Sequence, residues 1–171
     1  MTLVIRSVRV EDEDDALSAA AEFADSGFEW STTPPNSEMP WAEYVALLRE
    51  WEQGRSLPEG WVPATTRFAI VDGRVAGRLS VRHELNEFLT LVGGHIGYGV
   101  REQFRRQGIA TALLAEGLHI LRELDLASAL VTCKESNVGS ATVIERGGGI
   151  LRDRVNHPLT NEVMRRYDIS L

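Results

Sequence analysis

The chain has 171 residues, 43% of them hydrophobic and 25% charged, with a formal net charge of −7. That length suits one domain over residues 1–171 with a full core, and no apolar run approaches the ~20 residues that span a bilayer, so no membrane partner is expected. The acidic surplus argues against general nucleic-acid binding, because neutralising phosphates takes a basic surface, and it favours cationic small molecules as partners.

Leu3 to Arg6 reads as a first strand. The acidic run Glu11-Asp12-Glu13-Asp14-Asp15 follows. Asp12 is the expected N-cap of a helix whose apolar positions Ala16, Leu17, Ala20 and Phe23 recur at helical spacing, so the run fills the first turn and complements the helix dipole rather than holding a metal. An acidic start is also the reverse of a targeting peptide, which makes a cytoplasmic location the expectation. Residues 31–38 read as a loop. Pro40 then opens a second helix with Trp41, Tyr44, Val45, Leu48 and Trp51 on one face, a stripe read as core before channel wall.

After a connector over 54–63 the period changes to alternation, and Asp72-Gly73 between Phe68/Ile70 and Val75/Leu79/Val81 signals a tight hairpin. Residues 92–100 read as a strand rich in glycine, which admits close approach of a ligand. A helix over 109–124 is expected to bury Leu113, Leu114, Leu118, Leu121 and Leu124. The continuous run Ala129-Leu130-Val131-Thr132-Cys133 suits a strand covered on both faces. Strand, helix and strand in that order form a parallel crossover. Runs at 150–155 and 163–169, separated by Asn156-His157-Pro158, close the chain as an antiparallel hairpin. The fold class is therefore α/β, a mixed sheet with helices on both faces.

Between strand and helix lies Val100-Arg101-Glu102-Gln103-Phe104-Arg105-Arg106-Gln107-Gly108-Ile109-Ala110. Successive backbone N–H groups there can converge on one oxyanion, the positive end of the helix dipole adds to them, and Gly108 and Ala110 leave room for phosphate. The arginines over 101–106 would give an acidic protein a positive mouth.

Arg105-Arg106-Gln107-Gly108-Ile109-Ala110 resembles the acyl-CoA loop [QR]-x-x-G-x-[GA] of the GNAT superfamily of N-acetyltransferases. Asn137-Val138-Gly139-Ser140 resembles that family's N-x-x-[AS], and Glu145-Arg146-Gly147-Gly148 its helix-ending E-[KR]-x-G, so the likeness covers roughly residues 67–151. It implies a mostly antiparallel sheet with a parallel β-α-β acyl-CoA unit, in which the glycine-rich strand bulges and splays from its neighbour. It also implies acetyl-CoA as co-substrate and acetyl transfer to a small-molecule or peptide amine by direct attack in a ternary complex. Val100 and Asn137 would then meet the pantetheine arm, the amides of Gln107, Gly108, Ile109 and Ala110 the pyrophosphate, and Ser140 would lie near the cofactor. No metal is called for, and a homodimer is left open.

The chemistry needs a proton acceptor. An alkyl ammonium of pKa 10.4 is neutral in only about one molecule in 2,500 at pH 7, a cost of about 4–5 kcal/mol. His83, Glu84, Glu87 and His95 are the candidates, acting directly or through water. Many family members carry a tyrosine seven residues after the asparagine that can protonate the leaving thiolate; here that position is Ile144, so either the thiolate, of pKa ~8.5, leaves unaided or another group such as Tyr98 or Tyr167 supplies the proton. Tyr98, two residues from Val100 on the same strand face, is expected to carry any such donation, its alternative role being a wall of the acyl pocket. The gap at 144 also keeps open a non-catalytic acyl-CoA-binding or sensing module.

Other chemistries fall away. His83-Glu84 begins like H-E-x-x-H but ends in Glu87, which excludes that zinc site. His119 and His157 have no metal-ligand partner at helical spacing. Cys133, the single cysteine, cannot form an intrachain disulfide and reads as an inert buried thiol.

Overall fold

The structure is a computed structural model that describes residues 2–24, 34 and 38–171. Its strands are β1 (Leu3–Ser7), β2 (Ala64–Val71), β3 (Arg74–Arg82), β4 (Ile96–Val100), β5 (Ser128–Lys134), β6 (Ile150–Asn156) and β7 (Val163–Ser170). The helices are α1 (Glu13–Phe23), α2 (Trp41–Glu52), α3 (Ile109–Glu123) and α4 (Val138–Arg146). They build one sheet in the order β1-β2-β3-β4-β5-β7-β6. Every neighbouring pair is antiparallel except β4 and β5.

Alternation along β2 explains the two cores. Ala69 and Val71 face α3 and α4 with Leu79, Ile96, Val131 and Tyr167. Phe68 and Ile70 face α1 and α2 with Val75, where the Trp41-to-Trp51 stripe is buried as core. The β2–β3 hairpin turns at Asp72 (φ 47) and Gly73 (φ 84), the pair of left-handed residues that matches strand twist in a two-residue loop.

Several local expectations need correction. Asp12 stands before α1 but makes no side-chain cap. Its carboxylate is drawn to the Arg6 guanidinium (2.7 and 2.8 Å) and the Arg9 N–H (2.8 Å) instead. Leu17 and Leu124 are exposed, and Ala16, Ala19 and Phe23 carry the buried face of α1. The strand read over 92–100 begins only at Ile96, because Leu89–Gly93 wind into a π-helical turn that Gly94 (φ 64) ends. The ladder irregularities fall in β2–β3 and β6–β7, whereas β4 runs in unbroken register against β3. Of the loop expected over 31–38, only Pro34 and Glu38 are among the described residues.

Candidate active site

The chain leaves β4 through a 3-10 turn, Glu102–Phe104, and reaches α3 by way of Arg106 (φ 61) and Gly108 (φ 81). Two left-handed residues so close together turn successive N–H groups to one side, which is the geometry of an anion nest. Behind them the first N–H groups of α3 have no partner within the helix. A Cβ at Gly108 would meet nothing within 4 Å, so the approach is open. Arg105, Arg106 and Gln107 are exposed, while Ile109 anchors the helix in the core and offers only its backbone. Arg105 donates Nε to the Val100 carbonyl at 3.2 Å.

Arg101 is not part of this mouth. Its side chain is 2% exposed and runs under α1. There it donates to Asp15 (2.8 Å), the Val75 carbonyl (3.1 Å), Ser18 (3.3 Å) and Glu22. The sequence marked Arg101 as one of the mouth's arginines. Nothing local distinguishes it from Arg105; the difference is that strand alternation aims it at the α1 face, where acids wait.

Beside the nest the sheet splits. β4 and β5 share a single register pair, Ile96 with Val131. Extending that register puts Tyr98 level with Cys133 and Val100 level with Glu135. Because the Arg101 N–H is given to the Ala76 carbonyl on β3 at 2.9 Å, strand alternation turns the backbone groups of Tyr98 and Val100 toward β5. The base of the split is pinned. His95 N–H donates to the Leu130 carbonyl (2.7 Å), Leu130 N–H donates to His95 Nδ1 (2.9 Å), and Thr132 Oγ1 donates to the Val92 carbonyl (2.6 Å). Gly94 is obligatory there, since a Cβ would lie 2.6 Å from the Leu130 carbonyl oxygen.

On the α3/α4 face, Asn137 caps α4 by accepting the Ser140 N–H at 3.0 Å. The Ser140 hydroxyl lies 3.0 Å from Tyr98 OH, so β4 and α4 meet across the mouth of the split. Desolvation pushes Tyr98 up to about 12 and Cys133 up to about 11, which leaves both protonated and the thiol inert at neutral pH. Ile144 is fully buried in the core on this side and brings no hydroxyl to the site. Tyr167, itself buried, donates to the exposed Glu145 at 2.9 Å.

The other four candidates lie away from this face. Glu84 and Glu87 are exposed. His83 Nε2 is 2.8 Å from Thr65 Oγ1, which donates to Glu52 at 3.0 Å. A hydroxyl that gives its only hydrogen to Glu52 must accept from His83, so Nδ1 of His83 keeps its lone pair. Desolvation lowers its pKa, and it is neutral at pH 7. His95 is also lowered by desolvation, but its Nδ1 already accepts from Leu130, which places its proton on Nε2 and leaves neither nitrogen basic. Arg82, which sequence reasoning missed, lies over β4, its Nη1 3.1 Å from where a Cβ of Gly97 would be. A glycine flanked by a strand on one side and a split on the other was the available signal.

Among the described residues no cluster of His, Cys, Asp or Glu could hold a metal ion, and no helix is long and apolar enough to cross a membrane.

Residues 2–150 match the family model for the acetyltransferase (GNAT) domain. No curated protein matches the chain in sequence. Its fold is similar to that of an acetyltransferase of the GNAT family from Streptococcus pneumoniae, at 12% identity and a TM-score of 0.71 over 99% of this chain and 100% of the other. It is similar also to RimL, a ribosomal α-N-protein acetyltransferase, in complex with coenzyme A, at 18% identity and a TM-score of 0.72 over 100% and 95% of the two chains. A third likeness, to an acetyltransferase from Salmonella typhimurium with its cofactor acetyl-CoA, has 12% identity and a TM-score of 0.65 over 100% and 95%. Such identities speak for the fold alone; the family model, which spans the nest, the split sheet and the capped start of α4, establishes that this chain belongs to the GNAT acetyltransferases, a family of acyltransferases.

Proposed function

We propose that the chain transfers an acetyl group from acetyl-CoA to a primary amine, of a small molecule or a peptide, by direct attack in a ternary complex. The observation that carries this reading is the β4–β5 split, which opens on the face where the nest of α3 and the start of α4 both lie. The N–H groups of Gln107, Gly108, Ile109 and Ala110 receive the pyrophosphate, with Arg105 and Arg106 adding charge. The backbone groups of Tyr98 and Val100 that face β5, together with the Asn137 amide, receive the pantetheine. Bound acetyl-CoA supplies the thioester. The amine then arrives from the opposite face, across Gly97.

Its nitrogen bonds to the acetyl carbon, the carbon–sulfur bond breaks, and the ammonium proton leaves through water. His83 and Glu87 are its acceptors, because each keeps a basic atom, whereas His95 spends its lone pair on Leu130 and positions the base of the split. Glu84 is exposed beside them and serves as a further outlet. Desolvation lowers the pKa of His83, so the rate has an acid limb whose midpoint lies below the ordinary imidazole value. Above it, kcat/KM follows the substrate, levelling near pH 8 for an α-amine but climbing on for an alkyl amine of pKa 10.4. An acid limb untouched by both His83→Ala and Glu87→Ala would remove these residues from the mechanism.

Magnitudes decide what Tyr98 does. Passing a proton from a phenol near 12 to a thiolate near 8.5 runs uphill by about 5 kcal/mol. Tyr98 therefore donates a hydrogen bond to the departing sulfur without surrendering its proton, and solvent completes the thiol. One hydrogen bond to a charged group is worth about 1.5–3 kcal/mol. Tyr98→Phe is expected to lower kcat roughly 10- to 100-fold, with CoA affinity unchanged by calorimetry. An unchanged kcat under conditions where chemistry limits the rate would mean the thiolate leaves unaided.

A further inference from the structure

On the face of the sheet opposite α3 and α4, a cavity of about 480 Å³ is lined by Leu85, Asn86, Glu87, Thr90, Leu91 and Arg166. Arg166 pairs with Thr132 on β5, and the parallel register puts Thr132 level with Gly97. The cavity thus begins about two strand spacings, ~10 Å, from the split. That is the reach of the side chain attached to an amine held at the thioester, or of the residue after it.

Two polar side chains of the lining, Asn86 and Arg166, are already engaged. Asn86 accepts the Leu89 N–H (2.8 Å) and donates to the Gly60 carbonyl (3.0 Å). Arg166 gives two hydrogens to Asp153 (2.6 and 2.7 Å) and one to the Thr90 carbonyl (3.0 Å). What remains for a ligand is an apolar wall of Leu85, Leu91, the Thr90 methyl and the Arg166 stem, with the Thr90 hydroxyl and one carboxylate, Glu87, beside it. Three loops nearby carry exposed apolar side chains: Phe88 (47%) next to Glu87, Leu159 (83%) two residues from His157, and Trp61 (57%), whose ring packs on Trp51 at 5.1 Å. The loops are tied together by the Asn86–Gly60 bond and by the edge-to-face contact of Phe88 with His157 (5.9 Å). Exposed apolar side chains tied together beside a cavity suit a polypeptide partner. A polyamine or aminoglycoside would need several carboxylates in the wall, and among the described residues the lining offers one.

We propose that the acceptor is the α-amine of a polypeptide whose first residue bears a large apolar side chain, which fills this cavity while the following residues cross the rim of Phe88 and Leu159. The assignment rests on the acetyl-transfer reading above and names its acceptor. The experiment compares unblocked peptides that differ only at residue one (Leu, Phe, Ser, Asp or Lys), with spermidine as the small amine, following CoA release and product mass. Leucine- and phenylalanine-first peptides should exceed the serine-first peptide by at least tenfold in kcat/KM, mostly through KM. Leu91→Asp and, independently, Leu85→Asn should collapse that ratio toward one, with folding of each variant checked by its thermal transition. Equal rates whatever the first residue, a ratio unmoved by either folded variant, or spermidine outpacing every peptide would overturn the cavity assignment. Acetylation of no amine at all by a protein that still binds CoA would overturn the acetyl-transfer reading instead.

Discussion

Gly108→Glu is expected to weaken CoA binding at least a hundredfold, measured by calorimetry, while the protein still folds. Gly108 holds φ 81, where a side chain costs about 1–2 kcal/mol. That strain is local, and nothing stands within 4 Å of the new Cβ to disturb the fold. What changes is the nest: a carboxylate enters the space toward which the first N–H groups of α3 converge, satisfies them from within, and repels the pyrophosphate. Gly108→Ala separates the two effects, since it carries the strain without the charge and should lose far less affinity. CoA bound equally well by wild type and Gly108→Glu would place the phosphate site elsewhere.

The largest effect on stability is expected at Arg101. Arg101→Met keeps the aliphatic stem and removes a guanidinium that serves Asp15, Glu22, Ser18 and the Val75 carbonyl at once. Stripping one partner from a buried ion pair costs about 3–5 kcal/mol. Asp15 and Glu22 are 23% and 39% exposed and recover some hydration, so a loss of about 2–4 kcal/mol in denaturant unfolding is the expectation. A loss below about 0.5 kcal/mol would class the cluster with ordinary surface pairs.

The long periodic elements were legible because their signal is local. The stripe of α2, the leucines of α3 and the alternation of β7 each fall within one segment. Before α3 the left-handed backbone was legible at Gly108, where it is written as glycine, and not at Arg106, which takes the same conformation with an ordinary side chain. The strand start at 92 was misread because Gly93 and Gly94 suit a strand that admits a ligand as well as they suit the end of a π turn. Only the Leu130 carbonyl, on another strand, decides between them. The acceptor side stayed opaque for a related reason. The basic lone pair of His83 depends on Thr65 and Glu52, from β2 and α2, and the occupied one of His95 on Leu130 from β5. Position 144 shows the reverse case, where the count from Asn137 marked a missing hydroxyl and the core holds the isoleucine that replaces it.

The single register pair between β4 and β5 also has a mechanical meaning. The sheet consists of two blocks, β1 to β4 and β5 to β6, whose hydrogen-bonded continuity is confined to the short stretch around His95, Ile96, Leu130 and Val131. Beyond it the blocks are coupled through α3, α4 and the Tyr98–Ser140 contact, which makes that stretch a natural hinge. A ligand arm bonded to the edge of β4 would supply the interstrand pairing the chain itself omits there. Acetyl-CoA held at a hundred times its Kd would add about 2.7 kcal/mol to the folded state. Much of that gain would appear as slowed hydrogen exchange at the amides of Tyr98 and Val100, so that binding the acyl donor also stiffens the floor on which the amine must land.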